Sequence, residues 1–121
     1  MVLACNMPTH LIFVKRGESM NIYLTSYGVD TRYNDYMDSY FDIINVLKGK
    51  KVAIIPNAKL PSQDRTNSSV AKEELNKNNI VADIIDIDSV ELDINNYDAL
   101  YLSGGEPKYL MDSIDNSNLY N

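Results

Sequence analysis

The sequence predicts an α/β fold, a layered domain with a mostly parallel sheet and helices on its faces. Three observations predict it. Short apolar runs alternate with stretches whose apolar residues fall at helical spacing. The run Lys51-Val52-Ala53-Ile54-Ile55 is apolar without alternation, the pattern of a strand buried on both faces. The resulting order, strand-helix-strand-helix-strand-strand-helix, is that of crossover-connected layers, and 121 residues suffice for one such domain.

The elements follow in order. Asn21-Ile22-Tyr23-Leu24-Thr25 is rich in strand formers and ends at the turn signal Ser26-Tyr27-Gly28. Met37, Phe41, Ile44 and Leu47 then fall at helical spacing, with Tyr33 and Tyr40 flanking the same side. Gly49 supplies the stop, so the pattern predicts a helix over 34–48. The second strand covers 51–56 and is closed by Pro56. Residues 61–64 read as loop. Val70, Ala71 and Leu75 give a weaker stripe for a helix over 65–78, ended by Asn78-Asn79. Residues 80–87 read as the third strand, and 98–102 as the fourth, running straight into Ser103-Gly104-Gly105. After Pro107, the residues Tyr109, Leu110, Met111 and Ile114 begin a further helix.

Residues 1–19 stand apart from 20–121. Their apolar stretch, Leu11 to Val14, is far shorter than the roughly 7–15 residues of a secretory signal, and Lys15 and Arg16 follow it instead of preceding it. Leu3-Ala4-Cys5 is faintly similar to a lipoprotein cleavage box but has no apolar segment upstream. The segment reads as a leader of unassigned origin: a non-native leader, an upstream start or a short added strand. Met20 looks like the natural start.

Composition removes several function classes. Lys plus Arg is 11 and Asp plus Glu is 17, a net charge of −6 that repels phosphate backbones and argues against nucleic-acid binding. An apolar content of 45% argues against disorder. No apolar run approaches the length of a membrane-spanning helix, about 18 residues or more, so no membrane partner is expected. A single cysteine, Cys5, cannot form an internal disulfide, which fits a reducing, cytoplasmic compartment. A single histidine, His10, cannot build a histidine-based metal site. Asp83, Asp86 and Asp88 are the nearest thing to an acidic cluster, but Asp86 and Asp88 alternate with Ile85 and Ile87 as at a solvated strand end. No metal or other cofactor is expected.

In open α/β sheets, ligands bind at the loops that follow the strands. Those loops are Ser26-Tyr27-Gly28, Asn57-Ala58, Asp86-Ile87-Asp88 and Ser103-Gly104-Gly105-Glu106-Pro107. The last is the most informative. Adjacent glycines leave backbone N–H groups uncovered, and the helix N-terminus behind them adds partial positive charge, so the loop suits an oxyanion or a carboxylate. A tight strand-to-helix turn with no ligand accounts for the same residues.

Other motifs fail. There is no G-x-G-x-x-G and no G-x-x-x-x-G-K-[ST]. Asp30 and Asp35 are too loosely placed for a phospho-receiver pocket. Ser26 and Ser103 both lack the first glycine of a G-x-S-x-G elbow, and the lone histidine lies in the leader. No catalytic residue is assigned in this chain.

Three stretches carry a resemblance: Leu24-Thr25-Ser26-Tyr27-Gly28, Val52-Ala53-Ile54-Ile55-Pro56-Asn57-Ala58 and Leu100-Tyr101-Leu102-Ser103-Gly104-Gly105. Through them, residues 20 to about 120 resemble the N-terminal half of the peptidase E (S51) family, within the class I glutamine-amidotransferase-like superfamily. The resemblance implies a three-layer, flavodoxin-like sheet, present here as a partial domain. It also implies a serine hydrolase of short, aspartyl peptides, whose nucleophile elbow and histidine belong to the family's other half. What carries over is the oxyanion and substrate loop Gly104, Gly105 and Glu106, with the two glycine N–H groups facing the substrate carbonyl. The chain departs from the family at Glu106-Pro107, where Asn-Thr is usual. A carboxylate there repels an anionic substrate and weighs against an aspartyl preference.

The expectation is therefore an inactive front half of a peptidase-E-like hydrolase. The alternative is a non-catalytic α/β module that binds a small anion or a partner. A flavodoxin-type cofactor binder has only a thin phosphate loop at Ser26-Tyr27-Gly28. Since the family's nucleophile strand lies inside its sheet, its absence predicts a bare strand edge, marginal stability and self-association.

Overall fold

A computed structural model describes residues 9–16, 19–26, 28–32, 38–60 and 62–116. In chain order the elements are β1 (Thr9–Arg16), β2 (Ser19–Ser26), α1 (Asp38–Leu47), β3 (Lys51–Ile55), α2 (Thr66–Lys77), β4 (Val81–Ile84), a 3-10 turn (Ile94–Asn96), β5 (Ala99–Leu102) and α3 (Pro107–Asn116). The fold is α/β, as the alternation predicted.

The sheet has five strands in the order β2-β1-β5-β3-β4. β3 pairs in parallel with β4 and with β5, whereas β1 pairs antiparallel with both β2 and β5. The sheet is therefore mixed, which corrects the mostly parallel expectation. The cause is β1, which lies wholly inside the segment read as leader. Two residues separate it from β2, and a connection that short permits only antiparallel pairing. The four strands predicted from the sequence do all point one way, since β2 and β5 both run against β1. Their carboxyl ends meet at one edge of the sheet.

β1 also changes the expected bare edge. Its residues Leu11–Val14 pair with Ala99–Leu102, so both sides of β5 are occupied. The open edges fall on β2 and β4 instead.

Two buried clusters lie on the sheet's two faces. Ile12, Val14, Val52, Ile54, Ala99 and Tyr101 point to one face, under Tyr40, Ile43 and Leu47 of α1 and Ala71 and Leu75 of α2. Ala53, Ile55 and Leu102 point to the other, with Leu110 of α3 and with Ile87 and Leu92 from the β4–β5 connection. This alternation of neighbouring residues between faces explains why β3 reads as continuously apolar.

The face of α1 differs from the expected one. Tyr40, Ile43 and Leu47 are buried, while Phe41 is 51% exposed and Met37 lies outside the described residues. Tyr40 wins the inner position because its hydroxyl finds a buried acceptor, donating to Glu74 Oε2 of α2 at 2.7 Å. Phe41 packs its ring edge-on against Tyr40 at 5.3 Å from the outside. α2 ends in a left-handed residue, Asn79 at φ 60°, with Ile80 N–H donating to the Leu75 carbonyl and Asn79 N–H to that of Asn76. Among the described residues no helix is long and apolar enough to cross a membrane.

Candidate functional site: the glycine loop at the carboxyl edge

The loops at the carboxyl edge are held by side chains, starting after β3. Asn57 is fully buried, and its Oδ1 accepts the Ile87 N–H at 3.0 Å while its Nδ2 donates to Asp86 at 3.0 Å. Asp86 also accepts from Arg65 at 2.7 Å and from the Asp88 N–H at 2.9 Å. Arg65, just before α2, also donates from Nε and Nη2 to the Lys59 carbonyl at 3.0 and 2.7 Å. One network thus ties the ends of β3 and β4 to the start of α2. Burial by itself would raise the Asp86 pKa, but hydrogen bonds from Arg65, Asn57 and the Asp88 N–H, with the Arg65 charge, hold it below the ordinary carboxylate value.

The loop after β5 is built onto this frame. Ser103 N–H donates to the Ile55 carbonyl at 3.2 Å, which extends the parallel pairing. Ser103 Oγ accepts from Ser68 Oγ at 2.8 Å, and both serines are buried. The Gly104 carbonyl accepts from Asn67 Nδ2 at 3.0 Å. Gly105 presses on the Ala58 backbone so closely that a Cβ there would lie 2.5 Å from the Ala58 oxygen, at φ +156°. Glycine is required at that contact. Glu106 N–H then donates to the same oxygen at 2.7 Å, and the Glu106 carbonyl takes the first helical bond of α3, from Leu110. Pro107 fits the next position because its missing N–H would have had no helical partner.

Gly104 is buried, and Gly105 takes part in a β-bridge. Both lie one turn ahead of the α3 N-terminus and its partial positive charge. Glu106 differs from the expectation for the three-residue loop. Its N–H is consumed by Ala58, so it contributes an exposed carboxylate and no oxyanion donor.

The other sequence candidates separate. Asp83 accepts from Tyr97, Asp86 from Arg65, and Asp88 from Tyr109 and Ser113, so the three aspartates hold different partners. Among the described residues no three His, Cys, Asp or Glu side chains gather as metal ligands. Asp30 is buried and gripped by Arg32 at 2.9 and 2.6 Å. Tyr27, Asp35 and Cys5 lie outside the described residues, and Gly28 takes the left-handed φ of +55°. His10 lies on β1 opposite Thr25 of β2. Leu11 is paired with Leu102, so one further step of that register sets His10 level with Ser103, at the same edge as the loop.

Sequence reasoning did not single out Arg65, Asn67 and Ser68. Their signal was the polar run Arg65-Thr66-Asn67-Ser68-Ser69 at the head of a helix with a weak apolar stripe. The inner face of α2 is partly polar (Asn67, Ser68 and Glu74 are buried on it), and its first turn covers the loop. An exposed hollow of about 650 Å³ over α2 and β4, lined by Lys72, Glu73, Lys77 and Ile84 among others, shares no residue with the loop. Compared with protein-family models, with curated proteins and with solved structures, the chain matches none.

Proposed function

We propose that the Gly104-Gly105 loop receives an oxygen of a carbonyl or small oxyanion, as the substrate-holding part of a peptidase-E-like serine hydrolase. The observation that carries the reading is the adjacent glycine pair between β5 and α3, held in place by Asn67 on the Gly104 carbonyl, Ser68 on Ser103 and the Ala58 oxygen under Glu106 N–H. Fixed backbone donors stabilise developing negative charge without reorganising. Helix residues packed on both faces of the sheet support a three-layer arrangement of the flavodoxin-like, amidotransferase-like kind.

In this reading the nucleophile and base come from outside the 121 residues, and short peptides are the substrates of the intact domain. The chain by itself is then expected not to hydrolyse Asp-X dipeptides. Turnover that survives repurification and disappears in Ser103→Ala or His10→Ala would overturn the assignment of the catalytic pair elsewhere. A G-x-S-A-G elbow and a later histidine in the coding sequence beyond Asn121 would support it.

A second reading, a non-catalytic module binding a small anion in a reducing, cytoplasmic setting, draws on Ser103. That residue is 2% exposed and its hydroxyl is bonded to Ser68, a poor position for a nucleophile. Both readings require the loop to bind an anion. Sulfate or acetate should therefore raise the thermal midpoint with concentration, as a ligand of the folded state does.

A further inference from the structure

We infer that Asp83 keeps the β4 edge from pairing with a second copy of this chain. β4 closes one side of the sheet, and among the described residues no strand lies beyond it. Ile85 N–H donates to the Ile54 carbonyl, so the odd-numbered residues of this stretch turn their main-chain groups toward β3. Ala82 and Ile84 therefore turn theirs outward, and such a row is a template for another strand.

A second β4 fits this edge about a two-fold axis. With the strands antiparallel and Asp83 opposite its own copy, Ala82 falls opposite Ile84 of the copy, and every outward N–H of the strand meets a carbonyl. The apolar side chains agree with that register. Val81, 57% exposed, falls opposite Ile85, and Ile84, 38% exposed, opposite Ala82. The hollow over α2 leaves room beside Ile84, and the charges around it, Lys72, Glu73 and Lys77, are of both signs.

One residue opposes the match. On the axis Asp83 meets Asp83 of the copy, in the pair type without hydrogen bonds, where side chains stand closest and like charges destabilise. Nothing nearby cancels that charge. Tyr97 donates its hydroxyl to Asp83 at 3.1 Å, but the group is neutral, and burial together with Asp83 raises its pKa and keeps it so. Lys51, on the neighbouring strand, stands over the Tyr97 ring at 4.9 Å, and among the described residues no cation pairs with Asp83.

The test is sedimentation equilibrium of the full chain at pH 7, joined to amide hydrogen exchange. In wild type the Ala82 and Ile84 amides should exchange at the same rate at every protein concentration. Asp83→Asn keeps the shape and an acceptor for Tyr97 but loses the charge, and should associate at least about tenfold more tightly. Its Ala82 and Ile84 amides should gain protection as concentration rises. Asp83→Glu keeps the charge, and Tyr97→Phe removes only the hydroxyl contact, so both should behave as wild type.

Asp83→Asn that associates no better than wild type, or that associates without protecting Ala82 and Ile84, would overturn the inference. Wild-type amides that gain protection at those two residues with concentration would overturn it as well. So would Tyr97→Phe associating as strongly as Asp83→Asn, since a loosened contact would then be the cause and not the charge. Should Asp83→Asn fail to fold, Asp83→Thr, a strand former without the charge, takes its place.

Discussion

Asn67 Nδ2 lies 3.0 Å from the carbonyl oxygen of Gly104 and donates to it from the first turn of α2. On the far side of the same loop the Ala58 oxygen takes the Glu106 N–H. The glycine pair is therefore clamped between two elements that precede it by more than thirty residues. The loop's position is thus set by contacts that only the folded chain supplies.

Gly105→Ala tests the clamp from the other side. The added methyl would meet the Ala58 backbone oxygen at 2.5 Å and its carbonyl carbon at 2.8 Å. Neither atom can move without unseating the β3 end. We expect a loss of about 2–4 kcal/mol in denaturant unfolding. Gly49→Ala, with open space around its Cβ, should cost only about 1 kcal/mol through its φ of +75°.

Tyr101→Phe should destabilise without altering the sheet. The Tyr101 side chain is fully buried, and its hydroxyl accepts the Val29 N–H at 3.0 Å, tying the segment after β2 to β5. Burial pushes the phenol pKa well above its ordinary value, so the group stays neutral at any working pH. Removing the oxygen leaves a buried N–H without its acceptor, for an expected cost of about 1–3 kcal/mol. Val29 amide exchange should quicken more than that of β3.

Asp86 gives the acid limb of stability. Its folded pKa lies below the unfolded value of about 3.9, so its contribution is complete above that pH and is lost as pH falls through the folded value. Asp86→Asn should cost about 1–2 kcal/mol at pH 7, and the difference from wild type should shrink as pH falls through the folded value. A constant difference from pH 7 to pH 2 would mean that the Arg65 pairing contributes nothing through charge.

Much of this fold was legible because each predicted element carried its own periodicity. Lys51–Ile55, Thr66–Lys77 and Ala99–Leu102 lie within two residues of their expected bounds. A short added strand was one reading of the first 19 residues, but its antiparallel place between β2 and β5 was not legible. Its four-residue apolar stretch, flanked by Lys15 and Arg16, is too short to declare a strand until β2 and β5 are there to pair with it. Phe41 misled for a different reason: periodicity cannot tell which of two adjacent aromatics owns a buried acceptor, and Glu74 decides it for Tyr40. At the site, Gly104 and Gly105 announced themselves. Asn67 and Ser68 did not, because a polar helix face reads as solvent-facing until a loop is placed against it.

Removal of residues 1–18 tests what β1 does for the sheet. The β5 edge would lose its partner along Leu11–Val14, and β2 would lose its only neighbour among the described strands. An open apolar edge pairs with other chains. Sedimentation should show the shortened chain self-associating more than the full chain at equal concentration. A monodisperse monomer with an unchanged thermal midpoint would show that β1 covers nothing of consequence.

The most direct measurement is the response of the Gly104 and Gly105 amide resonances to a small anion added to the full chain. If the loop receives an anion as proposed, saturable downfield proton shifts are expected at these glycines, larger than anywhere else, as an N–H meets the added acceptor. Shifts confined to Lys72 and Lys77 beside the α2–β4 hollow, or no saturable shift at either glycine, would contradict it.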